Sequence, residues 1–234
     1  NKFGILCFLF YSHAIRAESY SIGPGLNSQE QLQELMILAR PGDTIQLQEG
    51  VYEFSDGLSL TQNEVSIKGA GMHKTVLDFS GQMSGAQGLL VTSDNVVLKD
   101  FAIINTKGDA LKVIGVDGIY MVNLRTEWTN GPDTNNGAYG LYPVQSRNVY
   151  INGCIAIGAS DAGIYVGQSE NIIVSNNIAQ YNVAGIEIEN SYYADVFDND
   201  VSLNTGGILV FDLPDLPQQG GHNIRVFRNQ SFSQ

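Results

Sequence analysis

The stretch Arg147–Ser169, RNVYINGCIAIGASDAGIYVGQS, lies over Glu170–Ser191, ENIIVSNNIAQYNVAGIEIENS, with a single residue deleted. Strand, turn, strand and terminal polar pair match along the whole alignment. Working outward, Asp117–Ser146 fits the same frame once the segment around Gly131–Gly137 is looped out, and Asp94–Val116, Tyr192–Leu213 and the start at Gly221 supply further copies. Each copy carries two alternating apolar pairs, as in Val149 and Ile151, then Ile164 and Val166, and alternation with period two is the mark of strands with one buried face.

A unit of about 23 residues cannot bury its apolar face alone. Coiled into one turn and stacked on its neighbours at about 4.8 Å, it forms a continuous core. The expected fold is therefore all-β, a right-handed parallel β-helix solenoid in which like positions pile over one another. Leu111, Leu141, Ile164, Ile186 and Ile208 form one inward column, and Val113, Pro143, Val166, Ile188 and Val210 the next. Asn95, Asn148, Asn171 and Asn223 recur at the start of the first strand, where stacked amides can close each turn and bond along the axis.

Gln29–Arg40 has the one clear helical pattern, with Leu32, Leu35, Met36 and Ala39 on one face, Ser28 placed to cap it and Pro41-Gly42 to stop it. A short capping helix over about 28–40 suits a plug on the open end of the solenoid. The chain stops at Gln234 just inside a strand, which is expected to be a C-terminal truncation of the solenoid. It begins at Asn1, and Lys2 with the apolar run Phe3–Tyr11 reads as the tail of a signal peptide cleaved after Ala14 or Ala17. Residues 1–17 are thus assigned to the signal and 18–234 to the β-helix domain. The apolar run is too short to span a bilayer, so export to a periplasm or beyond is expected, without membrane insertion after signal removal. Cys7 would leave with the signal, and Cys154 then stands alone as a small core residue.

The formal net charge is -12, with 24 acidic residues against 12 basic ones. Such a balance repels nucleic acid and anionic membrane, and favours neutral or cationic partners, or anionic ones bridged by a metal ion.

Ala39-Arg40-Pro41-Gly42-Asp43-Thr44-Ile45 followed by Glu49-Gly50-Val51-Tyr52 resembles the capping segment of the pectate-lyase-like right-handed β-helix superfamily. Gly137–Gln145, Gly158–Gln168, Asn182–Asn190 and Asn204–Pro214 are similar to a bacterial envelope family of parallel β-helix repeat proteins, a resemblance that implies fold and export but no settled reaction. Several departures matter. The turn Ser160-Asp161-Ala162 lacks the Asp-Pro-His-Asp of mannuronan epimerases, and neither the aspartate cluster of polygalacturonases nor the Met and His clusters of copper-maturation proteins are present.

The outward column between the core positions is Lys112, Tyr142, Tyr165, Glu187 and Leu209, and the next is Ile114, Val144, Gly167, Glu189 and Phe211. Two readings stay open. In the first, the protein is a polysaccharide lyase or epimerase-like enzyme: Tyr165 or Lys112 abstracts a proton, with Glu187 beside them, while Asp161, Glu187 and Glu189 hold Ca2+ against the sugar carboxylate. In the second it is a non-catalytic module in which Tyr139, Tyr142, Tyr165 and Trp128 contact sugar faces and Asp161 and Glu187 accept hydroxyl hydrogen bonds. The loop around Gly131–Gly137 is expected to wall that shelf. Phe211–Gly221, with Pro214 and Pro217, is expected to be an exposed loop offering Leu213 and Leu216 to an envelope protein partner, the alternative being a structural β-helix of the envelope.

Overall fold

A computed structural model describes residues 17–232, so the expected signal segment lies outside the described residues apart from Ala17. Each turn lays down three strands at three faces. One turn runs Arg147–Asn152, Ile155–Ile157 and Ala162–Gly167; the next runs Glu170–Ser175, Ile178–Gln180 and Ala184–Glu189. Equivalent strands pair in parallel with those of the turns above and below, giving nine-, eight- and seven-stranded sheets among the described residues. These are called here the first, second and third sheets, in the order the chain visits them.

The register stacks the columns as their spacing predicts. Leu111 pairs with Leu141, Leu141 with Ile164, Ile164 with Ile186, and Ile186 with Ile208. Leu111, Leu141, Ile164 and Ile186 are fully buried, and one hydrophobic cluster of aliphatic and aromatic side chains runs from Ile22 to Val201. The pairing between Tyr139–Val144 and Ala162–Gly167 skips Tyr142 and Pro143, because proline offers no N–H to the ladder.

The helix Ser28–Leu38 packs on the strands Ser19–Ile22, Gly50–Glu53 and Asp56–Leu60, as a plug should. It stops two residues before the predicted end, since Arg40 precedes a proline and Ala39 has already turned extended, with ψ 146°. Ser28 does not cap it. Asn27 holds the cap position without a side-chain bond, and the Ser28 hydroxyl is buried without a partner. The helix does something else that periodicity did not reveal. Gln29 Oε1 accepts the Ser55 N–H at 2.7 Å and Gln33 Oε1 the Ser59 N–H at 2.9 Å, so two side-chain amides occupy free donors at the edge of the third sheet.

The asparagines recognised in the sequence serve conformation more than bonding. Asn95, Asn148, Asn171 and Asn223 all have φ between 54° and 58°, the left-handed region that asparagine tolerates. The buried amide ladder is a different set, at the turn from first to second sheet. Asn177 Oδ1 accepts the Cys154 N–H at 2.8 Å, Asn199 Oδ1 accepts the Asn177 N–H and Nδ2, and Asn229 Oδ1 accepts the same two donors of Asn199. Cys154 is fully buried, its thiol pushed up to about 12 by burial, in keeping with a core role.

Candidate functional site

On the third sheet the chain turns a corner at the start of four successive strands, whose second residue is glycine at Gly140, Gly163, Gly185 and Gly207. A Cβ at Gly140 would meet the Gly163 carbonyl, and one at Gly185 the Val201 side chain. The corner places Tyr139, Ala162 and Ala184 on the outer face beside Tyr165, apart from the main core.

Three tyrosines gather there. Ring centroids lie 4.5 Å apart for Tyr139 and Tyr142, 4.8 Å for Tyr139 and Tyr165, and 5.0 Å for Tyr142 and Tyr165, the last pair edge to face. Tyr165 faces outward yet is only 5% exposed. Its ring lies along the strand over Gly167, where a Cβ would fall on the ring's hydroxyl, Cε1 and Cζ atoms. The absent side chain at Gly167 is thus the socket for the phenol, and carries its hydroxyl to Glu189, the register neighbour of Gly167. Replacing Gly167 with Ala should tip out the Tyr165 ring rather than break the backbone, costing about 1–3 kcal/mol. Spectrophotometric titration at alkaline pH should then show one phenol ionising closer to its ordinary range.

Four carboxylates surround the rings. Asp161 sits against Tyr139, Glu189 against Tyr165, and Asp109 near Tyr142. Lys112 Nζ stands 4.0 Å from Asp109 and 4.7 Å above the centre of the Tyr142 ring. Burial raises Asp109 above its ordinary range, with Lys112 opposing. Glu187 is the outlier. It is 8% exposed, no hydrogen bond from the described residues reaches its carboxyl, and it neighbours Asp161 and Glu189. Desolvation, then repulsion from Asp161 and Glu189, pushes it up to about 7. The linkage sign follows. A carboxyl raised on folding disfavours the native state when ionised, so stability should fall as pH rises from about 4.5 to about 7 and level off above. Denaturant midpoints measured across that window should show this slope in the wild type and a weaker one in Glu187→Gln.

These contacts revise the roles expected of several residues. Burial, followed by the Glu189 contact, raises the Tyr165 phenol far above its ordinary value, so Tyr165 holds its proton and donates it rather than acting as a base. Lys112 is engaged with Asp109 and the Tyr142 face. Trp128 cannot stack on a sugar: it is 5% exposed, belongs to the main core, and its Nε1 donates to the Thr106 carbonyl at 2.7 Å. Asp161, Glu187 and Glu189 do not form a metal-holding trio, and no three His, Cys, Asp or Glu among the described residues do. Glu189 faces the Tyr165 hydroxyl, so the residues present do not fit the expected Ca2+ site.

The loop after Trp128 does form a wall, but at the corner beside the shelf. Asn136 Nδ2 ties it to the carbonyls of Gly131 and Gly158, and a cavity of about 470 Å³ opens between Pro132–Thr134 and the corner turns at Ser160, Tyr181 and Asn204. The Phe211–Gly221 segment folds back. Asn190 exchanges hydrogen bonds with Leu213 and Gln218, while Leu213 itself stays exposed. A cavity of about 570 Å³ lies on the outer face of the first sheet under Tyr120, Tyr150 and Tyr193, away from this chemistry, and its Asp195 and Arg225 are paired to each other. Among the described residues no helix is long and apolar enough to cross a membrane.

Comparison with known structures matches this architecture. An alginate lyase from Paenibacillus sp. str. FPU-7 superposes with a TM-score of 0.55 at 15% identity, covering 92% of this chain and 95% of its own. A rhamnogalacturonan lyase gives 0.62 at 13% identity, over 93% and 68%. A family 28 exopolygalacturonase from Yersinia enterocolitica gives 0.55 at 10% identity, over 93% and 66%, so this chain spans about two thirds of the length of these last two. At such identities the likeness is one of fold. A search of curated protein sequences finds no match. The family model described as "Right handed beta helix region" matches residues 56–215, and with the parallel stacking seen above this places the chain in the right-handed β-helix family.

Proposed function

We propose that this protein binds a linear polysaccharide along the outer face of the third sheet and cleaves it by proton transfer at Glu187. The observation that carries the reading is Glu187 itself, a residue 8% exposed on the outer face beside Tyr165, whose carboxyl desolvation and the neighbouring carboxylates push up to about 7. A proton-transfer group works best when its pKa lies near the working pH, and burial beside other carboxylates is how a glutamate gets there. Tyr139 and Tyr142 supply half-buried aromatic faces with polar rims, suited to the apolar faces of sugar rings. Turns repeat at about 4.8 Å, close to the length of a sugar unit. The fold neighbours are named for alginate, rhamnogalacturonan and polygalacturonate chains, which supports a polymer substrate by analogy of fold.

Glu187 then protonates the glycosidic oxygen as its bond to the anomeric carbon breaks, and a water molecule that gives its proton to Asp161 or Glu189 forms the new bond to that carbon. Tyr165, holding its proton, orients Glu189. Incubation with a panel of polysaccharides should release new reducing ends without new ultraviolet-absorbing ends. Ultraviolet-absorbing ends would instead mark elimination, and so overturn the hydrolytic assignment. The tyrosine shelf also favours a second reading, binding without cleavage, since aromatic contact needs no tuned carboxyl; retention on a glycan without any product selects it.

A further inference from the structure

Resting on that reading of the third sheet, we infer that a cavity at the end of its strands is a subsite for one neutral, hydroxyl-rich residue of the polysaccharide, held by the side-chain amide of Gln168. Gly115, Gln145, Gln168 and Asn190 take equivalent places in the turns from the third sheet to the first, all in left-handed backbone with φ between 44° and 69°. Their N–H groups donate to the last residue of the matching strand one turn on, Val144, Gly167, Glu189 and Phe211 in order. Their side chains fare differently. Asn190 is paired on both sides, for Oδ1 accepts the Leu213 N–H at 2.8 Å and Nδ2 donates to the carbonyls of Leu213 and Gln218, each at 2.9 Å. Gln168, one rung away, is 9% exposed, and its Oε1 is buried without a hydrogen-bond partner. An acceptor left empty in this way costs stability unless a ligand fills it.

Gln168 lines a cavity of about 430 Å³ together with Gly115, Asp117, Gln145, Glu170 and Pro217. Small-molecule sites begin at about 300 Å³, so the space suits a sugar residue. At the Gly115 end it is open, since a Cβ there would meet nothing within 4 Å. At the other end the folded-back segment walls it, with Gln218 Nε2 bonded to the carbonyls of Ser169 and Asn190. The cavity also adjoins the tyrosine shelf, because Gln168 follows Gly167, over which the Tyr165 phenol lies. The rim decides the class of ligand. Asp117 and Glu170 only accept, Arg147 only donates and is already paired with Asp117 at 3.0 Å, and the amides of Gln145 and Gln168 do both. Sugar hydroxyls match this mixture, since each one donates and accepts, and two neighbouring ones can answer both atoms of the Gln168 amide. A peptide brings only one backbone donor per residue, and a uronate would meet two carboxylates against one engaged guanidinium.

Gln168→Met keeps the length of the side chain and removes its amide, so it separates a ligand-binding role from a structural one. The test is calorimetric titration of wild type and variant with β-1,4-linked hexamers of glucose, mannose, galactose and galacturonate, and with a free peptide of the sequence Phe211–Gly221. At least one neutral hexamer should bind, more tightly than the galacturonate chain, and lose about tenfold in affinity in Gln168→Met. The urea midpoint of the unliganded variant should equal or exceed that of the wild type, because an unpaired buried acceptor has gone. A lowered midpoint would show the amide to be structural and overturn the subsite. Unchanged affinity in the variant overturns it too, while leaving the polysaccharide reading of the shelf standing. Tightest binding of galacturonate removes the neutral assignment, and binding of the peptide alone, lost in the variant, gives the cavity to a peptide instead. If no probe binds, the subsite falls, and the polysaccharide panel above decides the broader reading separately.

Discussion

Glu187→Gln should lower the turnover of a cleaved polysaccharide by about 100-fold or more, while its affinity for an uncharged chain changes by less than about threefold. The amide keeps the shape of the side chain and its place next to Tyr165 in the register. What it loses is the transferable proton. In the wild type, activity that depends on the acid form of Glu187 should be full below its value of about 7 and fall as pH rises through it. The variant's residual activity should not follow that limb. Measuring kcat and KM separately across pH distinguishes this from damage to the shelf, which would raise KM. Unchanged kcat in the variant would remove Glu187 from the chemistry and leave the site as a binding surface.

Asn199→Asp should cost about 3–5 kcal/mol of stability at neutral pH, although it exchanges one amide nitrogen for an oxygen. Asn199 is 1% exposed and is saturated: Oδ1 accepts from the N–H and Nδ2 of Asn177, and Nδ2 donates to the Val174 carbonyl at 3.0 Å and to Asn229 Oδ1 at 2.9 Å. A carboxylate would still accept on one side, but would turn an oxygen toward two other oxygens on the other. It would therefore hold its proton more strongly folded than unfolded. The penalty should be small below the ordinary carboxylate range, near pH 4, grow as pH rises through it, and reach its full size above the raised folded value. Urea denaturation of wild type and variant, compared at about pH 4 and pH 8, measures it. A pH-independent loss would mean that packing, not the unpaired charge, sets the cost.

Much of the architecture was legible from alternation alone. Ile164 and Ile186 could be placed in one column because a repeat of about 23 residues leaves no other way to bury two alternating apolar pairs per turn. The outward positions of Tyr165, Glu187 and Glu189 followed from the same parity, and the register agrees. Side-chain direction across a strand is a local property, so it survives translation from sequence to structure. Other assignments depended on distance through space, and those went differently. Trp128 read as an exposed platform because it precedes a polar loop, but the chain turns it under the corner onto the Thr106 carbonyl. The asparagines that align most visibly sit on the surface in left-handed backbone. Asn177, Asn199 and Asn229, which build the buried ladder, were missed although each stands directly before a short second-sheet strand.

By itself, the order of residues determined the solenoid, its plug and which side chains face outward, because each depends on periods of two, of 3.6 and of about 23 read along a single chain. Only tertiary structure decided that Tyr165 lies flat in the space Gly167 leaves, and that Glu187 is largely desolvated within reach of the charges of Asp161 and Glu189. Proton affinity depends on desolvation and on charges brought close by neighbouring turns, and neither quantity exists until the turns are stacked.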